Sequence, residues 1–194
     1  MSRLQAFKDQ PKKKSFLYTE REASKRESFI QKLEGLAPDS LVWVDECGIE
    51  TKIDRLYARS PKGQRVYGER SGKRTHDRIS VIAAYVQRKL QAPFRFTGYT
   101  NTEVFEAWVE RCLIPILVAG QIVILDNAAF HKASRIQSKI EAVGAYVLFL
   151  PPYSPDLNKI EPQWANLKSY LRKEKDKHAN FLENLDQQLI NMGN

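Results

Sequence analysis

Long apolar runs, paired cysteines and glycine-rich phosphate loops are all lacking in this sequence of 194 residues. Its two cysteines, Cys47 and Cys112, and its three histidines do not recur at the short spacings of a zinc site. No apolar run approaches the roughly 18 residues that cross a bilayer, and no signal peptide is evident. These absences argue against zinc-binding, nucleotide-binding and membrane proteins, and they predict a soluble intracellular protein with reduced cysteines.

Positive charge is what the sequence has in excess. It contains 31 Lys or Arg residues against 23 acidic ones, which gives a net charge of +8. Part of this excess lies in the segment that follows Glu50 and runs to Arg78, which has nine basic residues, three acidic residues and several turn signals. A basic surface of this kind suits a polyanionic partner such as a nucleic acid.

The pattern along the chain divides it into three parts. Residues 1–40 are expected to form a basic lead and one helix, which a capping-box pattern starting at Thr19 would open. Residues 41–175 have the length and apolar content of one globular domain. Residues 176–194 are a C-terminal tail, in which a further helix is predicted around residues 180–191.

Strands joined by hairpins are predicted first in the central part, followed by alternating strands and helices. The predicted strands cover residues 41–45, 79–86, 90–97, 121–126 and 146–150, and the predicted helices cover residues 102–118, 133–143 and 159–173. This order is typical of a mixed sheet with helices on its faces, so the predicted fold class is α/β.

Two of the predicted strands end in an aspartate, one at Asp45 and one at Asp126. Open α/β sheets place their sites at the ends of such strands, so the two carboxylates are candidates for one site. Each aspartate equally fits the simpler interpretation that it caps the turn that follows its strand.

Glu161 is the third candidate carboxylate, at the start of a predicted helix. Asn158 is a good N-cap, so Glu161 also fits a capping box in which it would bond the Asn158 backbone N–H. Glu161 shares a helix face with Lys168 and Arg172, separate from the apolar face of the same helix. A binding stripe and a solvated charged face both fit this pattern.

Four segments around these carboxylates form a specific combination. They are VDECGIE at 44–50, SPKGQRVYGERSGKRT at 60–75, VILDNAAFHK at 123–132 and FLPPYSPDLNKIEPQWANLK at 149–168. Together they resemble the catalytic domain of bacterial insertion-sequence transposases of the mariner superfamily, over roughly residues 10–175. The 34 residues between Asp126 and Glu161 match the spacing of that group. The resemblance implies an RNase H-like fold.

The resemblance also implies a DDE enzyme that cleaves DNA strands at transposon ends and transfers them into target DNA. Its catalytic and metal-binding residues would be Asp45, Asp126 and Glu161. Two Mg²⁺ ions, with Mn²⁺ as a substitute, suit this chemistry and these hard oxygen ligands. Glu46 is left out because strand alternation points it to the face opposite Asp45, whereas Trp43 shares the face of Asp45.

DNA contacts are expected from residues near the triad and from the basic segment. The candidates are Lys62, Arg65, Arg70, Lys73, Arg74, His131, Lys132, Tyr153, Lys159, Lys168 and Arg172. His131 would contact a phosphate, although a structural or solvated histidine fits the same position. Tyr153 would stack on a splayed base, although a loop anchored by an aromatic ring and prolines fits equally well.

Two departures from the family bear on the partners. Lys159 stands where the family usually has proline, which adds a cation near the site at a small cost in helix initiation.

Complete members carry helix-turn-helix DNA-binding modules ahead of the catalytic domain, and residues 1–40 are too few for them. We therefore expect a second reading frame, a truncated copy or a remnant, with any recognition part encoded separately. The family also implies a homo-oligomer on DNA, in the bacterial cytoplasm at the nucleoid, with no membrane partner.

Two other functions fit the sequence. A different RNase H-like nuclease, such as a junction resolvase or an RNase H, would share the carboxylates, but the long match around SPDLNKIE favours a transposase. A non-enzymatic DNA-binding remnant fits the absent recognition modules, whereas the presence of all three carboxylates disfavours it. Terminal inverted repeats around the gene, and an overlapping upstream frame encoding helix-turn-helix modules, would separate these possibilities.

Overall fold

A computed structural model describes residues 22–50, 59–67, 78–174 and 180–194 of the chain. The strands within these ranges are β1 (Leu41–Glu50), β2 (Arg78–Val86), β3 (Lys89–Thr97), β4 (Ile122–Leu125) and β5 (Tyr146–Phe149). The helices are α1 (Ala23–Leu33), α2 (Thr102–Trp108), α3 (Ser134–Ala142), α4 (Glu161–Glu174) and α5 (Phe181–Gly193).

The five strands form one mixed sheet in the order β3-β2-β1-β4-β5. β1, β2 and β3 pair antiparallel, whereas β4 is parallel to both β1 and β5. The predicted α/β class is thus confirmed. β1 continues to Glu50, so the predicted end of this strand at Asp45 is wrong. The parallel register, with Leu41 opposite Ile122, places the carboxyl end of β4 near the middle of β1.

Apolar side chains pack against both faces of the sheet, since alternate residues of a strand point to opposite sides. Trp43 packs on one face with Trp164 of α4 and Leu185 of α5. Val44 packs on the other face with Phe105 of α2, and α3 covers the same side. The result is three layers, helices–sheet–helices, with apolar clusters on both faces of the sheet.

The first long helix predicted after the hairpins is regular only over Thr102–Trp108. Asn101 caps it as predicted, because its side chain accepts a backbone N–H of the first turn over 2.8 Å. The chain then forms a π turn over Val109–Leu113 and a 3-10 turn over Ile114–Ile116. Pro115 lacks an N–H and its ring crowds the preceding turn, so an α-helix cannot continue regularly through it.

The helices at the two ends of the chain differ in how well they were predicted. α1 begins at Ala23, and Glu22 precedes it as an extended N-cap without a side-chain cap bond. The predicted capping box, which would place Glu22 inside the helix, is therefore wrong, and Thr19 itself lies outside the described residues. The helix predicted in the tail runs over Phe181–Gly193, and the Asn180 side chain caps it.

The basic connection between β1 and β2 is described only over residues 59–67. A turn forms there at Pro61-Lys62-Gly63, closed by the bond from the Gln64 N–H to the Pro61 carbonyl over 3.1 Å. The second predicted turn, at residues 71–73, lies outside the described residues. None of the helices in the described ranges is both long and apolar enough to cross a bilayer.

Candidate active site

Asp45 and Asp126 are neighbours at the point where β4 ends beside the middle of β1. β1 and β4 pair in a constant register that ends at Trp43 opposite Ile124. The same register, continued by two residues, sets Asp45 beside Asp126, which follows directly after β4. Two aspartates that lie far apart in the sequence are thus brought together by the pairing of their strands.

Glu161 reaches the same place from α4, of which it is the first residue. It lines, together with Asp45 and Asp126, a cleft of about 320 Å³. Residues 150–155, in the loop after β5, form much of the rest of its lining. The structure therefore brings the three sequence-predicted carboxylates to one cavity, which they share with the turn after β4.

The capping-box interpretation of Glu161 does not hold in the structure. Such a box requires the Glu161 carboxylate to accept the backbone N–H of Asn158. That N–H donates instead to the Pro155 carbonyl over 2.9 Å. Asn158 lies three residues before the start of the helix, and its side-chain oxygen approaches the Ile160 N–H at 3.5 Å. The Glu161 carboxylate is thus left for the cleft.

Asp45 is the carboxylate whose protonation the site changes most. Burial raises its pKa, the negative charges of Glu46, Glu161 and Asp126 raise it further, and the resulting pKa is about 7. The indole N–H of Trp164 donates to Asp45 Oδ2 over 3.2 Å, which stabilises the charged form. Burial and the charge of Asp126 likewise raise the pKa of Glu161. Carboxylates concentrated in this way favour a cation among them.

Asp126 is held differently, by donors that stabilise its charge. Burial tends to raise its pKa, but hydrogen bonds from His131 and from the Ala128 backbone N–H lower it below the ordinary value. His131 lies between two carboxylates, with Nδ1 2.6 Å from Asp126 and Nε2 2.9 Å from Glu46. Burial tends to lower the pKa of His131, but these bonds raise it to about 9, so both ring nitrogens donate at neutral pH.

This arrangement changes the predicted role of His131. The ring is buried and both nitrogens are paired with carboxylates, so neither is available to a phosphate in this conformation. Glu46 has the opposite orientation from Asp45, as strand alternation predicts. No local sequence pattern links Glu46 to the site, because the link runs through a histidine 85 residues further along the chain.

The other predicted DNA-binding residues fall into three groups. Lys132, Lys159 and Arg172 are exposed. Lys168 is half-buried, and its charge partly opposes the rise that burial causes in the pKa of Glu161. Tyr153 is 54% exposed on the cleft wall, with a left-handed φ of 53°. In the basic connection, Lys62 and Arg65 are exposed, whereas residues 70, 73 and 74 lie outside the described residues.

The carboxylate cleft suits Mg²⁺ better than it suits a metal held entirely by protein. Among the described residues, no group of three or more His, Cys, Asp or Glu side chains could hold a metal ion by itself. Mg²⁺ keeps several waters and is usually bound by one or two carboxylates together with substrate phosphates. Hard, mutually repelling carboxylate oxygens on an open cleft meet that requirement.

The family comparison agrees with this geometry. A family model described as DDE superfamily endonuclease matches residues 40–185, which include all three carboxylates. No curated protein sequence matches the chain.

Solved structures of Mos1 transposase are similar in fold. The Mos1 transposase paired-end complex with left transposon end has a TM-score of 0.65 and 17% identity, over 85% of this chain and 54% of that chain. A pre-cleavage Mos1 transpososome has a TM-score of 0.65 and 14% identity, over 97% of this chain and 68% of that chain. The mariner Mos1 paired end complex with Mg has a TM-score of 0.63 and 15% identity, over 97% and 68%. At these identities the likeness shows the fold, which is the expected RNase H-like fold. The chain spans about half the length of the first of these proteins.

Proposed function

This chain belongs to the DDE superfamily endonucleases, and from that premise we propose that it is the catalytic domain of a transposase. It cleaves DNA strands at transposon ends and joins them to target DNA. The observation that carries the proposal is the single cleft lined by Asp45, Asp126 and Glu161. The likeness in fold to a Mos1 complex with a transposon end supports this class of substrate.

The three carboxylates would hold two Mg²⁺ ions, with Mn²⁺ as a substitute, and the similar Mos1 complex with Mg supports this choice. When bound, such ions activate the attacking oxygen and stabilise the leaving one. Because the pKa of Asp45 is about 7, a proton competes for this ligand in neutral solution. Activity should therefore rise with pH through the neutral range.

Basic side chains would bind the phosphates of the DNA backbone. We assign phosphate contacts to Lys132 and Lys168, whose charges act on Asp126 and Glu161. We assign further contacts to Lys159, which lines a separate cavity beside Trp43, and to Arg172, about three turns along α4 from Glu161. The remaining contacts are assigned to Lys62, Arg65, Arg70, Lys73 and Arg74 in the basic connection. Phosphate contacts position the DNA and supply most of the sequence-independent affinity.

Tyr153 would stack on a base that is splayed out of the cleaved end. Its ring is half exposed beside the carboxylates. Its φ of 53° is a strained conformation for a non-glycine residue, which costs about 1–3 kcal/mol and is concentrated at functional sites.

The proposal extends to the biological setting. The chain would come from a bacterial insertion sequence and act at the nucleoid in the cytoplasm. A separately encoded helix-turn-helix part would recognise the transposon ends, and the catalytic domains would act as a homo-oligomer on DNA. Residues 1–40 would then form a lead segment, 41–175 the catalytic domain and 176–194 a tail.

Strand cleavage on three matched substrates tests the proposal. The substrates are a duplex carrying the inverted repeat that flanks the gene, a random duplex of equal length and an RNA–DNA hybrid. We expect cleavage of the repeat duplex in Mg²⁺ or Mn²⁺ once the recognition part is supplied, and none with Asp126→Asn. Glu141→Gln, an equivalent change at an exposed position on α3, is the control and should cleave normally.

Two results would overturn the proposal in different ways. Preferred cleavage of the RNA–DNA hybrid would indicate an RNase H-type nuclease. Binding of the repeat duplex by folded protein, without cleavage in either cation, would indicate a DNA-binding remnant.

A further inference from the structure

His131 and Glu46 form a buried pair beside the proposed catalytic aspartate Asp126. Only 1% of His131 is exposed, and each of its ring nitrogens contacts one carboxylate, at 2.6 Å for Asp126 and 2.9 Å for Glu46. Phe105 and Phe130 pack against the ring, with centroid distances of 4.3 and 4.4 Å. The ring cannot turn without losing a hydrogen bond at each end, so its position is fixed by both polar and apolar contacts.

The bonds to Asp126 fall on only one of its two oxygens. Oδ1 accepts from His131 and from the Ala128 backbone N–H, which lies 2.8 Å away. Within the described ranges, no hydrogen bond reaches Oδ2. The Asp126 side chain is nevertheless 46% exposed and lines the cleft. One oxygen is thus anchored by the protein, and the other is left for a ligand in the cleft.

We propose that His131, itself held by Glu46, is a positioning residue that orients Asp126 so that Oδ2 is presented to the divalent cation. The proposal rests on the proposed function, because it takes Asp126 as a metal ligand. It gives Glu46 a role as well. Glu46 lies on the face of β1 opposite Asp45. It therefore acts on Asp126 through His131, whereas Asp45, its neighbour in sequence, lines the cleft directly.

Anchoring Asp126 in this way preorganises it for cation binding. A carboxylate that is free to rotate loses torsional freedom when it binds a cation, whereas an anchored carboxylate has lost that freedom already. Removing the outer hydrogen-bond partner of a metal ligand typically weakens metal binding by about 10–100-fold. A histidine that served only to fill the core would affect stability and leave the affinity for the cation unchanged.

Two replacements of His131 separate these roles, because asparagine and glutamine imitate different ring nitrogens. The amide nitrogen of asparagine falls near the position of Nδ1 and can still donate to Asp126. The amide nitrogen of glutamine falls near the position of Nε2 and reaches towards Glu46 instead. If positioning is the role, His131→Asn should retain most of the cation affinity and His131→Gln should not.

The test is a titration of the full chain with Mn²⁺ alone, in which electron paramagnetic resonance measures the free cation. We expect His131→Gln to raise the Kd by about tenfold or more, and His131→Asn by less than about threefold. Glu46→Ala should raise it by at least about threefold, since His131 then loses its outer anchor. Ile136→Val, a change in the same buried cluster that touches none of these bonds, should lower the melting temperature and leave the Kd unchanged.

Asp126→Asn distinguishes failure of this inference from failure of the proposed function. If Asp126→Asn abolishes Mn²⁺ binding while His131→Gln binds as the wild type does, the positioning role is wrong. If Asp126→Asn itself binds Mn²⁺ normally, the proposed metal site is wrong, and the positioning role with it. Should His131→Gln fail to fold, Glu46→Ala decides, and an unchanged Kd in that variant overturns the inference.

Discussion

The indole N–H of Trp164 donates to Asp45 Oδ2 over 3.2 Å, so the helix that carries Glu161 is bonded to the strand that carries Asp45. Trp164 is buried and lies one helical turn after Glu161. This single bond crosses 119 residues of sequence. It keeps two of the proposed metal ligands in a fixed relation before any DNA or cation is present.

Removing this donor should change the pH dependence of cleavage. Trp164→Phe keeps an aromatic ring but loses the hydrogen bond that stabilises the charged form of Asp45, so the pKa of Asp45 rises above its value of about 7. Because Asp45 must be deprotonated to bind a cation, the pH at half-maximal cleavage should move upward. The shift is measured by following cleavage under single-turnover conditions at a series of pH values from about 5.5 to about 9, a range that brackets the pKa of Asp45.

Trp108→Phe is the matched control for this prediction. Trp108 is equally buried and also uses its indole N–H, which donates to the Ala92 carbonyl over 2.9 Å, but it lies on the other face of the sheet. Both variants should lose stability by about 0.5–1.5 kcal/mol, since each removes one partly buried hydrogen bond. Only Trp164→Phe should shift the pH profile, and superimposable profiles for Trp164→Phe and the wild type would refute the role given to Trp164.

The free energy of unfolding of the metal-free protein should fall as the pH rises and His131 loses its proton. Its pKa is raised from 6.5 to about 9 in the folded state, because its bonds to Asp126 and Glu46 outweigh the effect of burial. The stabilisation is therefore complete below pH 6.5 and is lost as the pH rises through about 9. Thermal melting without divalent cations should show a falling midpoint over this window, and Glu46→Gln should flatten the fall. A constant midpoint in the wild type would contradict the paired histidine.

The sequence was sufficient to predict the parts of the site that depend on local pattern. Strand periodicity predicted the order of the elements and placed Asp126 correctly at the end of a strand, and the family resemblance added Glu161. It did not predict that β1 continues past Asp45 to Glu50, because that extension is stabilised by pairing with the distant strand β2. What it could not predict depends on pairing between distant elements. Two hydrogen bonds of the site are of this kind, the one between Glu46 and His131 and the one between Trp164 and Asp45. Each joins residues that only the tertiary packing of distant elements brings together.

Local patterns were also ambiguous where two physical roles use the same residues. Asn158 and Glu161 fit a capping box by spacing alone, but the turn at Pro155 takes the Asn158 N–H first. The apolar periodicity after Asn101 continues to residue 118, whereas the regular helix ends at Trp108 and irregular turns lead to Pro115. A proline at that position excludes a regular helix through it, but it does not fix where the irregularity begins.

DNA binding by the isolated chain should be mostly independent of sequence and strongly dependent on salt. The net charge of +8 and the basic connection would neutralise phosphates and release counterions. Affinity for a random duplex, measured by fluorescence anisotropy from about 50 to 200 mM salt, should fall by roughly a factor of a thousand if about six phosphates are contacted. Discrimination of the inverted repeat from random duplex by more than about tenfold would reveal a recognition element within this chain.

Tyr153 offers a test in which backbone and side chain can be separated. Glycine adopts a φ of 53° without strain, so Tyr153→Gly should fold normally while losing the ring. Loss of one stacked base should weaken binding of a duplex with a frayed single-stranded end by about 1–3 kcal/mol. Tyr153→Phe keeps the ring and should bind that DNA as the wild type does. Equal binding by the glycine and phenylalanine variants would show that the ring serves only the loop.

Strand cleavage by Glu161→Gln tests the central claim most directly, because Glu161 is the carboxylate for which a structural role was the strongest alternative. Glutamine keeps the shape of the side chain, and the Asn158 N–H is already bonded to Pro155, so stability should change by less than about 1 kcal/mol. With Mg²⁺, the recognition part and a transposon-end duplex, cleavage by the folded variant should fall to background while Glu141→Gln cleaves as the wild type does. Near-normal cleavage by folded Glu161→Gln would contradict the three-carboxylate site.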